Sequence, residues 1–258
     1  MNRIDHLFKK KQGGILSVYI TAGYPHLNDV PALLAALQKN GIDMVEIGMP
    51  FSDPLADGPV IQHSSHTALQ NGMSLKLLFK QLKGIRTSVH IPLVLMGYLN
   101  PVLQMGMENF LANCRDAGID GVILPDLPPD VYKDNFLELF QKYGIHNSLL
   151  ITPHTSPNRI MEIASMSGGF LYLVAEASTT GARAIIGRHQ VKYFQRIGKM
   201  DLPLPGLIGF GISSHETFLT ACKHASGAII GSAFIRAIGE EGPLEGKVET
   251  FIQSIRYG

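Results

Sequence analysis

Asn28-Asp29-Val30-Pro31-Ala32-Leu33-Leu34-Ala35-Ala36-Leu37-Gln38-Lys39-Asn40-Gly41-Ile42-Asp43-Met44-Val45-Glu46-Ile47-Gly48-Met49 is the stretch on which the fold turns. Asn28 is a candidate N-cap, Pro31 falls near the first turn, and Leu33, Leu34 and Leu37 share one helical face. Asn40-Gly41-Ile42 reads as a glycine stop, because glycine takes the left-handed conformation that ends many helices. The run Met44 to Met49 that follows is short and mostly apolar, without strict polar alternation. Strands buried on both faces of a parallel sheet read this way. Helix, glycine stop and buried strand together form one turn of a βα repeat.

The same unit recurs along the chain. Strand-length apolar runs appear at Ile15 to Ile20, Met44 to Met49, Pro92 to Met96, Gly121 to Leu124, Ser148 to Ile151, Phe170 to Val174, Gly206 to Gly209 and Gly227 to Gly231. Helical spacing separates them: Leu75, Leu78, Phe79 and Leu82 after Ser74; Phe110 and Leu111 on to Cys114; Val131 to Tyr143; Ile160 and Ile163; Val191 and Phe194; Phe218 and Leu219; Val248 and Ile252. Ala117-Gly118-Ile119 and Tyr143-Gly144-Ile145 repeat the glycine stop. About eight such units predict an α/β chain folded as one closed (β/α)8 TIM barrel over residues 1–258, with an extra helix around Val60 to Gln70 inserted after strand 2. The alternative is an open doubly wound sheet. It calls for a glycine-rich dinucleotide turn after the first strand, and Gly23-Tyr24-Pro25 is not one.

Composition narrows the function classes. Hydrophobic residues make up 45% of the 258 and charged residues 17%, less charge than the ~25% usual in soluble domains. The chain therefore has a large interior or an apolar face covered by a partner, and global disorder is excluded. A net charge of +1 gives no nucleic-acid or anionic-membrane surface. Lys9-Lys10-Lys11 reads as a solvated helix end. Cys114 and Cys222 lie far apart inside helical segments and read as free thiols of a reducing cytoplasm. Met1 to Asp5 carries no apolar signal core, and no window approaches the length of a membrane span.

The chemistry concentrates after the second strand, in Val45-Glu46-Ile47-Gly48-Met49-Pro50-Phe51-Ser52-Asp53-Pro54-Leu55-Ala56-Asp57-Gly58-Pro59. Glu46 sits within an apolar strand, where a carboxylate is costly unless it is hydrogen-bonded in the core or used. Near the carboxyl end of a barrel strand it would face the mouth, and burial would favour the neutral form that suits a proton donor. Asp57 follows on a proline-restricted loop that could bring it over the mouth toward Glu46, or it is a turn residue. Asp53 reads as structural or partner-facing. Glycine turns at Thr180-Gly181-Ala182, Gly209-Phe210-Gly211-Ile212-Ser213 and Gly231-Ser232-Ala233 follow the sixth, seventh and eighth runs. Barrels commonly hold phosphate there, on backbone amides and a helix N-terminus. None of the strand runs carries the lysine of a Schiff-base aldolase, and His63 and His66 lack a partner carboxylate and read as surface or capping residues. Cofactor-free acid–base chemistry is what remains, with no metal expected.

These motifs resemble the alpha subunit of tryptophan synthase over nearly the whole chain. Glu46 to Pro59 is similar to that family's signature. Tyr19-Ile-Thr-Ala-Gly-Tyr-Pro25, Leu95-Met-Gly-Tyr98-Leu-Asn100-Pro, Pro125-Asp126-Leu-Pro128, Thr180-Gly181, Gly209 to Ser213 and Gly231-Ser232-Ala233 resemble its other strand ends and loops. The resemblance implies retro-aldol cleavage of indole-3-glycerol phosphate to indole and glyceraldehyde 3-phosphate, a carbon–carbon lyase reaction of L-tryptophan biosynthesis that needs no cofactor. It implies Glu46 and Asp57 as catalytic residues, and Tyr172, Thr180 and Tyr98 as substrate-binding ones. Tyr172 could equally be a packed core aromatic. Phosphate binding is implied for Gly181, Phe210, Gly211, Gly231 and Ser232. The implied partner is the tryptophan synthase beta subunit, in an alpha2-beta2 complex, with Pro50, Asp53 and Asn100-Pro101 as contact surface. Ala175 to Gly181 departs from the family pattern. Glu176 is expected to face away from the phosphate, and Ser178 to Gly187 to act as a mobile lid. Two other classes stay open: another sugar-phosphate lyase on the same barrel, and a non-catalytic regulatory subunit.

Overall fold

The structure, a computed structural model, describes residues 2–175, 188–209 and 211–258. Nine parallel strand segments form the sheet: β1 Ile15–Thr21, β2 Met44–Gly48, β3 Leu93–Met96, β4 Gly121–Ile123, β5 His146–Asn147, β6 Leu150–Ile151, β7 Leu171–Val174, β8 Gly206–Gly209 and β9 Gly227–Ile230. They are ordered β5-β4-β3-β2-β1-β9-β8-β7-β6. The two ends of that order are consecutive in the chain. β5 pairs with β4, β6 pairs with β7, and only Ser148 and Leu149 lie between. The Ser148 amide donates to the Val122 carbonyl at 3.0 Å, and the Leu149 carbonyl accepts from the Tyr172 amide at 3.0 Å. β5 and β6 are thus one stave that changes neighbours midway, so eight staves close the barrel. The single fifth strand expected at Ser148 to Ile151 is corrected to this split stave.

The helices among the described residues are α1 Arg3–Lys10, α2 Val30–Lys39, α3 Pro59–Gln70, α4 Leu75–Leu82, α5 Leu99–Met105, α6 Met107–Ala117, α7 Pro129–Asn135, α8 Leu137–Tyr143, α9 Pro157–Met166, α10 Arg188–Gly198, α11 His215–Cys222, α12 Ser232–Gly239 and α13 Leu244–Tyr257. Both α3 and α4 follow β2. Leu33, Leu34 and Leu37 are fully buried on α2, as their spacing predicts. Gly41, Gly118 and Gly144 all have φ near +70°, which only glycine adopts freely, and each ends its helix. None of the described helices is long and apolar enough to cross a membrane.

Some local readings change. The cap of α2 is Asp29, whose carboxylate takes the His26 amide, while the Asn28 side chain accepts from Gln81. Val131 to Tyr143 is not one helix: it breaks at Phe136, with φ −129° and ψ −18°, where the ring packs against the core. Leu219 is largely exposed. Lys11 is not a free solvated charge but pairs with Asp43 at 2.7 Å. α1, which carries the lysine run, seals the amino ends of the strands. Its Ile4 is fully buried, close to Gly121 and Gly169.

Candidate active site at the carboxyl ends of the strands

Glu46 lies at the centre of β2, in register with Tyr19 on β1 and Val94 on β3. It is 0% exposed, and neither carboxylate oxygen has a hydrogen-bond partner among the described residues. Burial disfavours its charged form and pushes its pKa up to about 8. A glutamic acid in this state carries its proton at neutral pH and, among the described residues, has no structural partner to give it to.

Asp57 reaches the same region from the β2–α3 loop. Pro50, Pro54 and Pro59 restrict that loop, the Asp57 amide donates to the Pro54 carbonyl at 3.0 Å, and the Gln62 side chain donates to the Asp57 carbonyl at 2.9 Å. Tyr98, just beyond β3, holds the loop from the other side. Its hydroxyl donates to Asp57 Oδ2 at 3.0 Å and accepts from the Ala56 amide at 3.0 Å, and its ring lies 5.2 Å from that of Phe51. Burial raises the Asp57 pKa, and the Tyr98 hydrogen bond partly offsets it by favouring the carboxylate.

Two more tyrosines complete the wall. Tyr172 on β7 and Tyr19 on β1 are buried, and the charges of Glu46 and Asp57 bear on both hydroxyls, raising their pKa further beyond the effect of burial. The four groups therefore share one interior. Each ring leans onto a glycine of the next strand. A Cβ at Gly48 would stand 2.0 Å from the Tyr19 oxygen, and one at Gly209 would stand 2.1 Å from the Tyr172 oxygen. Any larger residue at either position would push the ring into the cavity. Tyr172 is thus both packed and aimed at the site. Tyr19 was not among the predicted site residues. Its signal was the alternation of Ser17, Tyr19 and Thr21 along an otherwise apolar strand, a polar-tipped face turned inward. Thr21 also bonds Ser64 of α3 at 2.6 Å, fastening that helix beside the mouth.

Of the three candidate phosphate turns, the two that lie among the described residues, Phe210 apart, differ. At α11, the Ser213 and Ser214 amides both donate to Thr217 Oγ1 at 3.0 Å and Ser214 forms a capping box, so the helix start is already satisfied. α12 starts at Ser232 with Gly231 as N-cap and no side-chain cap. Gly231 lies against Tyr19, with the position of an added Cβ 3.6 Å from the Tyr19 Cβ. The α12 N-terminus therefore offers amides and a favourable dipole to an anion at the same mouth. Gly211 is exposed with φ +76°. Thr180, Gly181, Phe210, Glu176 and the run 178–187 lie outside the described residues. His63 and His66 are exposed on α3, and Asp53 is exposed in the β2–α3 loop.

Two clefts lie elsewhere. One of about 420 Å³ sits between α12 and α13, and one of about 430 Å³ is lined by Gln12, Gly13, Leu204 and Ser226 near the amino ends of β1, β8 and β9. Neither contains Glu46 or Asp57. The mouth is the better candidate because, unlike either cleft, it brings a buried acid, Glu46, and a second carboxylate, Asp57, to the same tyrosines.

Residues 6–255 match the family described as "Tryptophan synthase alpha chain". The tryptophan synthase alpha chain of Flavobacterium johnsoniae is 53% identical over 256 residues, covering 99% of this chain and 100% of that one. The solved alpha chain of Legionella pneumophila subsp. pneumophila superposes with a TM-score of 0.88 at 32% identity, covering 99% of this chain and 96% of its own. A chain of the tryptophan synthase complex from Pyrococcus furiosus superposes with a TM-score of 0.85 at 33% identity, covering 94% and 98%.

Proposed function

The chain belongs to the tryptophan synthase alpha-chain family, and from that premise we propose that Glu46 and Asp57 carry out the family's reaction at the barrel mouth. The enzyme is a cofactor-free carbon–carbon lyase. It cleaves indole-3-glycerol phosphate to indole and glyceraldehyde 3-phosphate in L-tryptophan biosynthesis. Glu46, uncharged at neutral pH, donates its proton to indole C3. The bond from C3 to the glycerol chain then breaks, and its electron pair restores the indole. The hydroxyl on the departing carbon becomes the aldehyde, and its proton returns to the Glu46 carboxylate. Asp57 accepts the indole N–H hydrogen bond as positive charge spreads to that nitrogen. Tyr172 and Tyr98 flank the ring, and the family resemblance adds Thr180 as a substrate-binding residue. Gly231 and Ser232 hold the phosphate at the α12 N-terminus, and the family resemblance adds Gly181, Phe210 and Gly211 as phosphate-binding residues.

The single observation that supports this reading is the unpartnered, fully buried Glu46 carboxyl sharing an interior with Asp57. Release of indole from indole-3-glycerol phosphate by the purified chain tests it. Glu46→Gln is expected to bind glycerol phosphate as wild type does and to lose roughly 10²–10⁴-fold in turnover. Asp57→Asn is expected to lose about 10²-fold or more with an unchanged melting temperature. Wild-type turnover in either variant removes that residue from the mechanism.

The partner is the tryptophan synthase beta subunit, and we infer an alpha2-beta2 assembly. Pro50, Asp53, Asn100 and Pro101 border the mouth. Leu55, 91% exposed, and Leu103, 51% exposed, add apolar surface beside them, which suits a covered face. We take residues 1–258 as one domain. A reducing cytoplasm suits Cys114 and Cys222, both free thiols.

A further inference from the structure

The Pro125-Asp126-Leu127-Pro128 turn after β4 has no part in the chemistry above, yet it is bonded to the corner that carries Tyr98. Both Asp126 carboxylate oxygens accept from the Leu99 amide, at 2.9 and 3.0 Å. Leu99 is the first residue of α5, and Tyr98, its N-cap, provides no side-chain cap of its own. The cap thus comes from the neighbouring loop, and it holds the backbone one residue from Tyr98. Tyr98 in turn spans to the β2–α3 loop through three contacts: Phe51 by its ring, the Ala56 amide and Asp57 Oδ2 by its hydroxyl. The corners after β4, β3 and β2 are therefore bonded in series, and the series ends on the Asp57 carboxylate.

We propose that Asp126 and Tyr98 are positioning residues for Asp57: Asp126 fixes the Tyr98 corner, and the Tyr98 hydroxyl holds the Asp57 carboxylate in the rotamer that meets the substrate. The proposal rests on the reading of Asp57 as a catalytic group. Geometry alone gives the reason for such a device. Asp57 lies on a loop with exposed neighbours Leu55 and Ala56, and a free aspartate there would sample several rotamers. Its side chain is held by Tyr98, while its backbone is held by Gln62. Among the described residues, Tyr98 from the β3 corner, Tyr19 from β1 and Tyr172 from β7 face it, and Glu46 from β2 bears on the same Tyr19 and Tyr172 hydroxyls. Of these, Tyr98 is the hydrogen-bond donor that favours the ionised form.

The test measures indole release across pH in the full chain assembled with a beta subunit, for Tyr98→Phe, Asp126→Ala, Asp126→Asn, Asp57→Asn and the pair Tyr98→Phe with Asp57→Asn. Tyr98→Phe keeps the ring on Phe51 and removes only the hydroxyl. It is expected to lower kcat about tenfold with KM nearly unchanged, and to move the acid limb of the profile up by about one pH unit. Asp126→Ala is expected to shift the limb in the same direction by less, and Asp126→Asn, which keeps an acceptor oxygen, to restore most of the loss. Added to Asp57→Asn, Tyr98→Phe should cost little further, because the amide keeps an acceptor oxygen but the catalytic carboxylate that Tyr98 positions is gone. An unmoved acid limb in Tyr98→Phe, or its full tenfold loss persisting in the Asp57→Asn background, overturns the positioning role while leaving Asp57 catalytic. Wild-type activity in Asp57→Asn alone overturns the catalytic reading itself.

Discussion

A carboxyl group without a partner in the middle of a buried strand has a thermodynamic signature that does not depend on substrate. The ordinary glutamate pKa near 4.5 is raised to about 8 in the folded Glu46, because burial penalises the ion. Between those values the folded chain keeps a proton that the unfolded chain has released. Stability from this group is therefore complete below about pH 4.5 and falls as pH rises toward 8. Glu46→Gln removes the titration while keeping the shape. It should match wild type in urea denaturation near the acid end of this window and exceed it by on the order of a few kcal/mol above the window. Equal pH dependence in the two proteins would show that Glu46 is ionised in the fold, and the proton donor would then have to be found elsewhere. The same titration predicts that turnover declines on the alkaline side as Glu46 loses its proton.

At the scale of the element, the strands shape the cavity through what they leave out. Gly48 and Gly209 carry no Cβ because Tyr19 and Tyr172 occupy that space. Gly209→Ala must displace the Tyr172 ring, which is buried and stiff. It should cost ~1–3 kcal/mol in denaturation and weaken substrate binding, whereas Gly211→Ala, where an added Cβ meets nothing within 4 Å, should leave the core packing intact. Thermal melts of the two variants, with and without glycerol phosphate, check this. Such reciprocal pairs explain what the sequence made legible. Glycine stops at Gly41, Gly118 and Gly144 could be read because the conformation they adopt is local. Glu46 could be read because an acid breaks an apolar run. The split fifth stave could not, since the switch of partner from β4 to β7 is set by barrel closure and not by residues 146–151 themselves. The break at Phe136 is likewise a tertiary choice: the ring finds the core, and the helix gives way. Asn28 and Asp29 are equal N-caps by propensity, and Gln81 of α4 claims the Asn28 side chain while Asp29 takes the cap position. The bond from Tyr98 to Asp57 spans 41 residues and leaves no periodic trace.

The whole molecule divides its polar groups between two ends of the barrel. At the carboxyl end they are left poorly matched: among the described residues Glu46 has no partner, and α12 starts without a side-chain cap. At the amino end the cluster around Asp120 is matched, although Ser17 Oγ and the Asn147 side chain, buried in the strands above it, have no partner among the described residues. Asp120, just before β4 and 3% exposed, takes Arg86, Arg3 at 2.9 Å and the Leu93 amide at 2.9 Å, while the Asn2 side chain donates to its carbonyl at 2.7 Å. His146 joins Asp5 at 2.8 Å, so α1 is riveted under the barrel. This arrangement assigns stability to one end and reactivity to the other. Asp120→Ala leaves the Arg86 guanidinium largely buried beside Arg3 with no counter-charge, since burial already disfavours its charge and Asp120 is what offsets it. The variant should lose ~3–5 kcal/mol in urea denaturation. Under conditions where it remains folded, its kcat for indole release should equal that of wild type, because among the described residues the cluster is bonded to Asn2, Arg3, Arg86 and Leu93 and not to the groups at the mouth. A folded Asp120→Ala protein with impaired turnover would mean that strain at the amino end reaches Glu46 through β2 and β3, and the separation of the two ends would fail.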